Sequence, residues 1–410
     1  MLLCVPRHLR VNALSQLLNL PGSEKSIRGL AHTPAEIAQQ PDTWLSTFQL
    51  FRRKRDEIAA FLALAGIHAR SVSRPTVFLV GAGTSDYIGQ SLTYLLRSHW
   101  QCEVIAVPST DLLTHLDEFL IHGKKYLWIS FSRSGDSPEG VAVLERAREQ
   151  HPEIHHLVIS CNANGKMIRE NAGGPRVLCI CLDDAVNDRG LAMTSSFSNM
   201  VVFGQCLAYA IDPATSDMGK YEEILPQLVE SGRKFLPRAA DCAAALANEA
   251  YSKVCFVGSG PQRAVSRESA LKLLELTAGK TQTMSESALG LRHGPMAALD
   301  QSTLFVSFLS GDRRIRQYEL DLLAELGKKH LVKCRMVVAT GELPAQDCFA
   351  ERYLTFAAPS AIPDPYRPPI DVIFGQLLGL FSSLWWKLQP DCPSPTGAIS
   401  RVVQNVSIHS

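Results

Sequence analysis

Short apolar runs rich in valine, isoleucine, leucine and phenylalanine alternate along the chain with segments that have the spacing of amphipathic helices. Seven such runs predict strands, at residues 76–80, 126–130, 157–160, 177–181, 253–257, 303–308 and 335–339. Runs that are apolar at successive positions are typical of parallel sheets that are buried on both faces. The pattern therefore predicts an α/β fold in which helices cover both sides of a parallel sheet.

The two halves of the chain repeat one another. The segment FLVGAGTSDYIGQSLTYLLR, which begins at Phe78, is matched by CFVGSGPQRAVSRESALKLLEL from Cys255. Their glycine turns lie 177 residues apart, and the Ser-Gly-Asp of residues 134–136 recurs 176 residues later. A strand, a glycine turn, a helix, a second strand and a serine turn thus occur twice in the same order. This repetition predicts duplication of one α/β unit.

The repeat and the length of 410 residues predict two α/β domains, at residues 51–212 and 237–388. Residues 213–236 are predicted to link them, partly as helix, and residues 1–50 to form a helical and irregular extension. The tail at 389–410 ends in RVVQNVSIHS, and three valines and an isoleucine are unusual in a disordered segment. We therefore expect the tail to pack on the protein near its active site.

Composition narrows the class of protein. The chain is 46% hydrophobic and 20% charged with a net charge of +1, so it offers no basic surface for nucleic acid. The 11 cysteines lack C-x-x-C spacing, which predicts reduced thiols and no metal site. The start of the chain is a poor signal peptide, and polar residues interrupt the apolar segment 370–388, which predicts a core helix and not a membrane span. We expect a cytoplasmic protein that binds no membrane.

The most informative stretch is SFSRSGDS at residues 130–137, which follows the apolar run YLWI, and we call its residues 132–137 the serine turn. A helix-forming segment comes next, so free N–H groups and the helix dipole should favour a phosphate here. Ser132, Ser134 and Ser137 can each donate a hydroxyl hydrogen bond, more than a helix cap requires. No P-loop lysine follows, so the turn predicts binding of a small phosphorylated metabolite. Arg133 could add positive charge, although a solvent-exposed arginine fits the sequence equally well.

A glycine turn, GAGTS at residues 81–85, lies between a predicted strand and a predicted helix. A dinucleotide site of the Rossmann type would want a third glycine where Asp86 stands. It would also want an acidic residue at the end of the next strand, where EVIAVPSTDLL offers only Asp111. Sugar-phosphate binding is therefore favoured, with Thr84 and Ser85 among the candidate substrate-binding residues. The alternative that the glycines only permit a tight turn stays open for the second copy.

The second unit supplies the candidate acid–base residues. On the helix RESALKLLELTAGK, Lys272 and Glu275 share a face, as do Glu268 and Lys272. Surface ion pairing would account for this spacing as well. The loop that follows contains Arg-His-Gly-Pro, in which His293 lies on irregular backbone and can project into a cleft. A carboxylate and a histidine beside a sugar phosphate are the groups that ring opening and proton transfer need.

Six strings in this order resemble the sugar isomerase (SIS) family: GAGTS, ISFSRSGDSPE, DRGLAMTSS, RESALKLLELTAGK, RHGP and RVVQNVSIH. The strongest likeness is to the bacterial galactosamine-6-phosphate deaminase/isomerases, also called tagatose-6-phosphate ketose/aldose isomerases. The resemblance implies two tandem SIS units, each a flavodoxin-like, three-layer α/β/α structure. It also implies conversion of galactosamine 6-phosphate to tagatose 6-phosphate and ammonia, without a metal or an organic cofactor.

The resemblance further implies roles for single residues. Glu275 would move a proton between C2 and C1, and Lys272 would assist charge at the reacting end. His293 would open the sugar ring in the site of a neighbouring subunit, which implies a homodimer with its active site at the interface. The implied substrate-binding residues are Ser85, Ser132, Ser134 and Ser137 with the loop 192–196, and Thr84, Arg133, Thr194 and Ser196 complete the candidate set.

Two features of a related enzyme are missing from this chain, and their absence reduces the number of reactions to consider. The related glucosamine-6-phosphate synthase carries an N-terminal glutaminase domain with a cysteine directly after the first methionine, where this chain has Leu2 and a short extension. The synthase also uses a lysine in its tail, whereas no lysine follows Lys387 and Asn405 stands near the expected place. Amide-nitrogen transfer is therefore not expected. Aldose–ketose isomerisation without ammonia release stays open. A non-catalytic sugar-phosphate-binding regulator also stays open, although the chain lacks a basic helix-turn-helix pattern.

Overall fold

The apolar runs form two parallel sheets in the computed structural model, which describes residues 11–68, 71, 73–211, 218–356, 362–403 and 406–409. Before the first strand lie helices α1 Ala13–Leu18, α2 Gly22–Arg28, α3 Thr33–Ala38 and α4 Gln40–Leu64. The first unit contains β1 Thr76–Gly81, α5 Thr84–Trp100, β2 Val104–Pro108, α6 Ser109–Thr114, α7 Leu116–Phe119, β3 Tyr126–Ser132, α8 Pro138–Gln150, β4 His155–Ser160, α9 Lys166–Arg169, β5 Val177–Cys181 and α10 Ser195–Leu207. The second contains α11 Met218–Ala247, β6 Lys253–Gly258, α12 Pro261–Leu276, β7 Gln282–Glu286, β8 Thr303–Phe308, α13 Arg313–Lys328, β9 Cys334–Thr340, β10 Arg352–Phe356 and α14 Pro368–Trp385.

The two sheets have the same topology. The first has the strand order β2-β1-β3-β4-β5 and the second β7-β6-β8-β9-β10, and all neighbouring strands are parallel. Counted from the start of each unit, both orders read 2-1-3-4-5, which is the flavodoxin-like order. The predicted duplication and the predicted fold class, two tandem three-layer α/β/α units, are confirmed.

All seven strands predicted as apolar runs are present, within three residues at each end. Three strands of the described structure were not among the seven predicted runs: β2, which lies within EVIAVPSTDLL, and β7 and β10, which are the two edge strands of the second sheet. The residues of β7 are exposed or half-buried throughout, and those of β10 are buried at only two of five positions. Neither strand is therefore a continuous apolar run, because an edge strand does not have to be buried on both faces.

One of the hydrophobic core clusters contains residues of both units. Trp44 of α4, Phe203 of α10, Phe235 of α11 and Phe374 of α14 all belong to it and are fully buried. Helix α12 of the second unit packs against both α14 and α5. Because α5 starts at the glycine turn of the first unit, this packing brings a helix of the second unit next to that turn.

The terminal segments fold onto the same body. Helix α4 continues past residue 50, and α11 runs through residue 236, the predicted end of the linker. The Asp391 carboxylate accepts hydrogen bonds from the backbone N and the Oγ1 of Thr33, each at 2.7 Å. Helix α14, from the most apolar late segment, lies in the core, and no helix among the described residues is long and apolar enough to cross a membrane.

Candidate active site

A cavity of about 290 Å³ opens at the carboxyl ends of β1 and β3. These two strands are parallel neighbours, so the glycine turn and the serine turn that follow them lie side by side. The predicted residues that line the cavity are Ser85, Ser132, Arg133, Ser134 and Ser137. Sequence reasoning missed Ser109, Thr110 and Met167, and the cavity is also lined by Met193 of the loop 192–196 and by the tail residues Arg401, Val402 and Val403. The cavity has about the size that small-molecule ligands occupy.

The serine turn presents its hydroxyl protons to this cavity. Ser132 Oγ accepts a hydrogen bond from Gly135 N at 3.0 Å, Ser134 Oγ from Asp136 N at 3.2 Å, and Ser137 Oγ from Gly140 N at 3.2 Å. None of the three hydroxyls donates to an acceptor within the described parts of the chain. Because the oxygens are held by backbone N–H groups, the protons can be donated to a bound anion.

The glycine turn has a geometry that requires its two glycines. Gly83 adopts φ +56°, and a Cβ at Gly81 would overlap the backbone of Ser85. This close approach places the Ser85 hydroxyl at the cavity wall at the start of α5. Both glycines are therefore explained by local geometry, and the turn needs no dinucleotide to account for it.

Arg133 is buried, which excludes the alternative of a solvent-exposed arginine. Its guanidinium donates to the carbonyl oxygens of Leu191 at 3.0 Å, Gly190 at 3.4 Å and Arg401. Burial and the neighbouring Arg401 lower the pKa of Arg133. It forms no ion pair with a carboxylate among the residues that the structure describes. Its positive charge therefore stands beside the cavity, where it would favour an anion.

The C-terminal segment completes the cavity wall. Arg401 donates from Nε to the Asp188 carbonyl oxygen and from its guanidinium to Asn187 Oδ1, both at 2.6 Å. These bonds hold the segment at the cavity, and Arg146 of α8 donates a hydrogen bond to the carbonyl oxygen of His409 further on. Leu2, Asn405 and the start of the predicted linker lie outside the described residues.

The candidate acid–base residues form a buried cluster on α12. Lys272 is fully buried, and its ammonium donates to Glu275 Oε2 at 2.6 Å and to Thr84 Oγ1 at 3.0 Å. Thr84 Oγ1 in turn donates to Glu268 Oε1 at 3.2 Å. Thr84 thus contacts the acid–base cluster and does not line the cavity, whereas the adjacent Ser85 does. This pair of residues links the two units at the site.

Glu268 is the member of this cluster whose importance the sequence did not reveal. Its side chain is fully buried, and burial raises the pKa of its carboxyl to about 8 despite the opposing effect of Lys272. The pKa of Lys272 is also raised, because Glu268 and Glu275 outweigh the effect of burial. Near neutral pH the cluster therefore holds a protonated Glu268 beside a charged lysine. The spacing of Glu268, Lys272 and Glu275 on one helix face was the available signal.

His293 is not brought to the cavity of its own chain. It lies exposed on the connection between β7 and β8, between two short 3₁₀ turns at Gly290–Arg292 and Pro295–Ala298. Glu275, with a side chain 26% exposed, also lies outside the cavity lining but close enough for its charge to oppose the lowering of the Arg133 pKa. Within one chain, therefore, neither the carboxylate nor the histidine lines this cavity.

Thr194 and Ser196 do not line the cavity, although they were candidates for substrate binding. Both are fully buried, and their hydroxyls donate to the Asp188 carboxylate at 2.9 and 2.5 Å. Asp188 also accepts from the backbone N of Thr194 and of both following serines. It thereby caps the N-terminus of α10. This cap holds the loop whose Met193 does line the cavity.

Comparison with known proteins agrees with this architecture. The SIS domain family matches residues 72–210. An AgaS protein from Streptomyces coelicolor is 37% identical over 391 residues, which cover 95% of this chain and 98% of that one. The Escherichia coli protein named D-galactosamine-6-phosphate deaminase AgaS is 35% identical over 92% of this chain and 95% of its own. The solved structure of tagatose-6-phosphate ketose/aldose isomerase from Escherichia coli has a TM-score of 0.80 at 31% identity, with 92% and 96% of the two chains covered.

Proposed function

The chain belongs to the AgaS family of SIS-domain proteins, and from this we propose that it deaminates galactosamine 6-phosphate to tagatose 6-phosphate and ammonia in amino-sugar catabolism. It is an enzyme that acts on a sugar phosphate. The observation that carries the proposal is the junction of the two units. There the hydroxyl-lined cavity of the first unit meets the Lys272–Glu275 pair of the second through Thr84.

The phosphate of the substrate binds at the serine turn. Ser132, Ser134 and Ser137 donate hydroxyl hydrogen bonds to its oxygens, and the N-terminus of α8 contributes backbone N–H groups and its dipole. Ser85 donates from the opposite wall. The buried charge of Arg133 makes the cavity favourable for a dianion.

Proton transfer is assigned to Glu275. After ring opening, its carboxylate removes the proton from C2 and delivers it to C1, while O1 of the aldehyde gains the proton that the C2 amine loses, so that C1 becomes a hydroxymethyl group and the C2 amine becomes a C2 imine. Water adds to the imine carbon and ammonia leaves, which gives the ketose. One water is consumed and one ammonia is released for each substrate. Lys272 holds the carboxylate in place and stabilises negative charge that develops on the sugar, and positioned acid–base groups of this kind typically contribute ~10²–10⁴-fold.

We assign ring opening to His293 of a second copy of the chain, in a homodimer. The exposed position of His293, outside the cavity of its own chain, supports this assignment. Homodimers with twofold symmetry place the same surface of each chain against the other, so each active site would receive one histidine.

The reaction is tested by measuring ammonia release from galactosamine 6-phosphate, with glucosamine 6-phosphate and galactose 6-phosphate in parallel. Ammonia from the galacto amino sugar alone supports the proposal. Conversion of galactose 6-phosphate to its ketose without any ammonia from the amino sugars would replace it with plain isomerisation.

Glu275→Gln tests the base. The variant should lose turnover by at least ~10²-fold while keeping its affinity for inorganic phosphate, because the amide cannot accept the C2 proton. Glu230→Gln on α11 is the matched control, since Glu230 is exposed and forms an ion pair with Lys234 on the same helix. An active Glu275→Gln enzyme would refute the assignment.

The assignment of His293 to the partner is tested by mixing two inactive variants, Glu275→Gln and His293→Ala. If the histidine acts across the interface, each mixed dimer has one intact site, and random mixing restores about a quarter of the wild-type activity. If both residues act within one chain, no mixed dimer has an intact site and the mixture stays inactive.

A further inference from the structure

The second unit contains a turn that matches the serine turn of the first. Ser310-Gly311-Asp312 lies 176 residues after Ser134-Gly135-Asp136, and we call residues 310–312 the SGD turn. In both turns the serine Oγ accepts a hydrogen bond from the backbone N of the aspartate, at 3.2 Å in the first unit and 3.0 Å in the second. Each turn leads into a helix of more than twelve residues, α8 or α13. The local geometry that favours an anion is thus present twice.

The SGD turn is occupied by a carboxylate of the same chain. Asp364 accepts a hydrogen bond from Gly311 N to Oδ1 at 2.7 Å and another from the hydroxyl of Ser310 to Oδ2. In the first unit the equivalent Gly135 N donates to Ser132 Oγ, and the Ser134 hydroxyl is free to donate. Asp364 thus occupies both the hydroxyl that is free in the first turn and the backbone N–H that Ser132 accepts from there.

A buried cation completes the environment of this carboxylate. Arg367 is fully buried and donates to Asp364 Oδ1 at 2.9 Å, to the Leu309 carbonyl oxygen at 2.7 Å and to Asp371 Oδ1 at 3.1 Å. A hydroxyl, a backbone N–H and a guanidinium that converge on one anion are the donors of a typical phosphate or carboxylate site.

The surroundings of the SGD turn also differ from those of the serine turn. Glu319 occupies the position of the repeat that corresponds to Val143, which lines the cavity of the first unit. The Oε2 atom of Glu319 accepts a hydrogen bond from Ser310 N at 2.7 Å. The Thr340 hydroxyl, 4% exposed, lies beside Gly311 and has no hydrogen-bond partner in the described structure. The Thr340 hydroxyl is therefore a further polar group beside the SGD turn.

We propose that the SGD turn is a second anion-binding site and that Asp364 is its built-in ligand, in the place of a phosphate. The chain then has a single sugar-phosphate site, and removal of the Asp364 carboxylate would create a receptor for a small oxyanion such as phosphate or formate. The side chain of Asp364 is 12% exposed, so solvent anions can reach the position. The proposal concerns the second unit alone and holds whatever reaction the first unit supports.

The proposal is tested with Asp364→Ala, wild type and Asp371→Ala in thermal unfolding with increasing sodium phosphate or sodium formate. Asp364→Ala should unfold at a lower temperature than wild type without added anion, and should recover saturably as either anion is added. Asp371→Ala is the matched control, because this substitution also removes a carboxylate that Arg367 binds but leaves Asp364 in the SGD turn. Equal responses of all three proteins to the anions would overturn the proposal.

Phosphate binding measured by calorimetry supplies a second readout. Asp364→Ala should bind one more phosphate per chain than wild type, whatever number wild type binds, so this result does not depend on the serine turn. Should Asp364→Ala fold only when formate is present during refolding, that requirement supports the proposal directly. Asp364→Asn keeps the shape but not the charge and should be less stable than wild type. Wild-type stability of Asp364→Asn, or no additional phosphate in Asp364→Ala, would overturn the proposal.

Discussion

The protonation of Glu268 predicts how stability and turnover depend on pH. Its Oε1 accepts from Thr84 and lies 3.4 Å from Lys272 Nζ, whereas its Oε2 is buried without a hydrogen-bond partner among the described residues. Burial raises the pKa of this carboxyl from 4.5 to about 8 against the opposing charge of Lys272. Glu268→Gln replaces the protonated acid with a neutral side chain of almost the same shape, so it removes the titration and little else.

The magnitude follows from linkage. The folded protein holds this proton more tightly than the unfolded chain, so the contribution to stability is complete below pH 4.5 and is lost as the pH rises through about 8. At about 1.4 kcal/mol per pH unit the loss is at most about 5 kcal/mol. Glu268→Gln should therefore gain stability relative to wild type as the pH rises, by a few kcal/mol at about pH 8 in urea unfolding.

Turnover should show the same transition. Above about pH 8 an ionised Glu268 competes with Glu275 for the Lys272 ammonium, so kcat of wild type should fall there, while Glu268→Gln keeps its activity. Glu319→Gln is the control, because burial raises the pKa of Glu319 to about 7 but this residue lies at the second unit's SGD turn. It should alter stability and leave the kcat profile unchanged. If the kcat of wild type stays constant above pH 8, as the kcat of Glu268→Gln should, the protonation of Glu268 at neutral pH is refuted.

Three further predictions concern single side chains. Ser134→Ala should weaken inhibition by inorganic phosphate roughly tenfold, because a hydrogen bond to a charged group contributes about 1.5 kcal/mol; inhibition unchanged from wild type would remove Ser134 from the phosphate site. Arg401→Ala should raise KM and speed amide exchange at Val402, since two hydrogen bonds hold this segment; exchange as slow as in wild type would contradict that anchoring. Burial lowers the pKa of His156 from 6.5 to about 3, so wild-type stability should be lost as the pH falls below 6.5, and His156→Phe should reduce that loss. If wild type and His156→Phe lose the same stability as the pH falls, burial of a neutral His156 is not the cause of that loss.

Much of this fold could be predicted from local sequence. A central strand of a parallel sheet is covered on both faces, so β1, β3 and β8 consist of successive buried residues and are visible as apolar runs. The edge strands β7 and β10 are partly exposed, so their sequences lack that signal. The repeat predicted that the two units share one topology, because the same pattern of strands and turns folds in the same way.

The serine turn could also be predicted from sequence, because a helix N-terminus with three hydroxyls is a local arrangement. The burial of the Arg133 side chain could not be predicted in this way. One of the acceptors of its guanidinium is the carbonyl oxygen of Arg401, which is far away along the chain. Thr194 and Ser196 satisfied a sequence pattern, but the structure gives their hydroxyls to Asp188. A hydroxyl donates to the strongest acceptor within reach, and which acceptor that is depends on how the loop is folded.

The sequence by itself thus determined the two α/β units, the turns that end their strands and the residue types available at each turn, all of which follow from burial and backbone geometry over a few residues. Only the tertiary structure decided which turn stays open. The serine turn retains free hydroxyl protons, whereas Asp364, more than fifty residues further along the chain, fills the SGD turn. The physical reason is that a buried donor takes whatever acceptor the packing of distant helices brings to it, and no local pattern reports that packing.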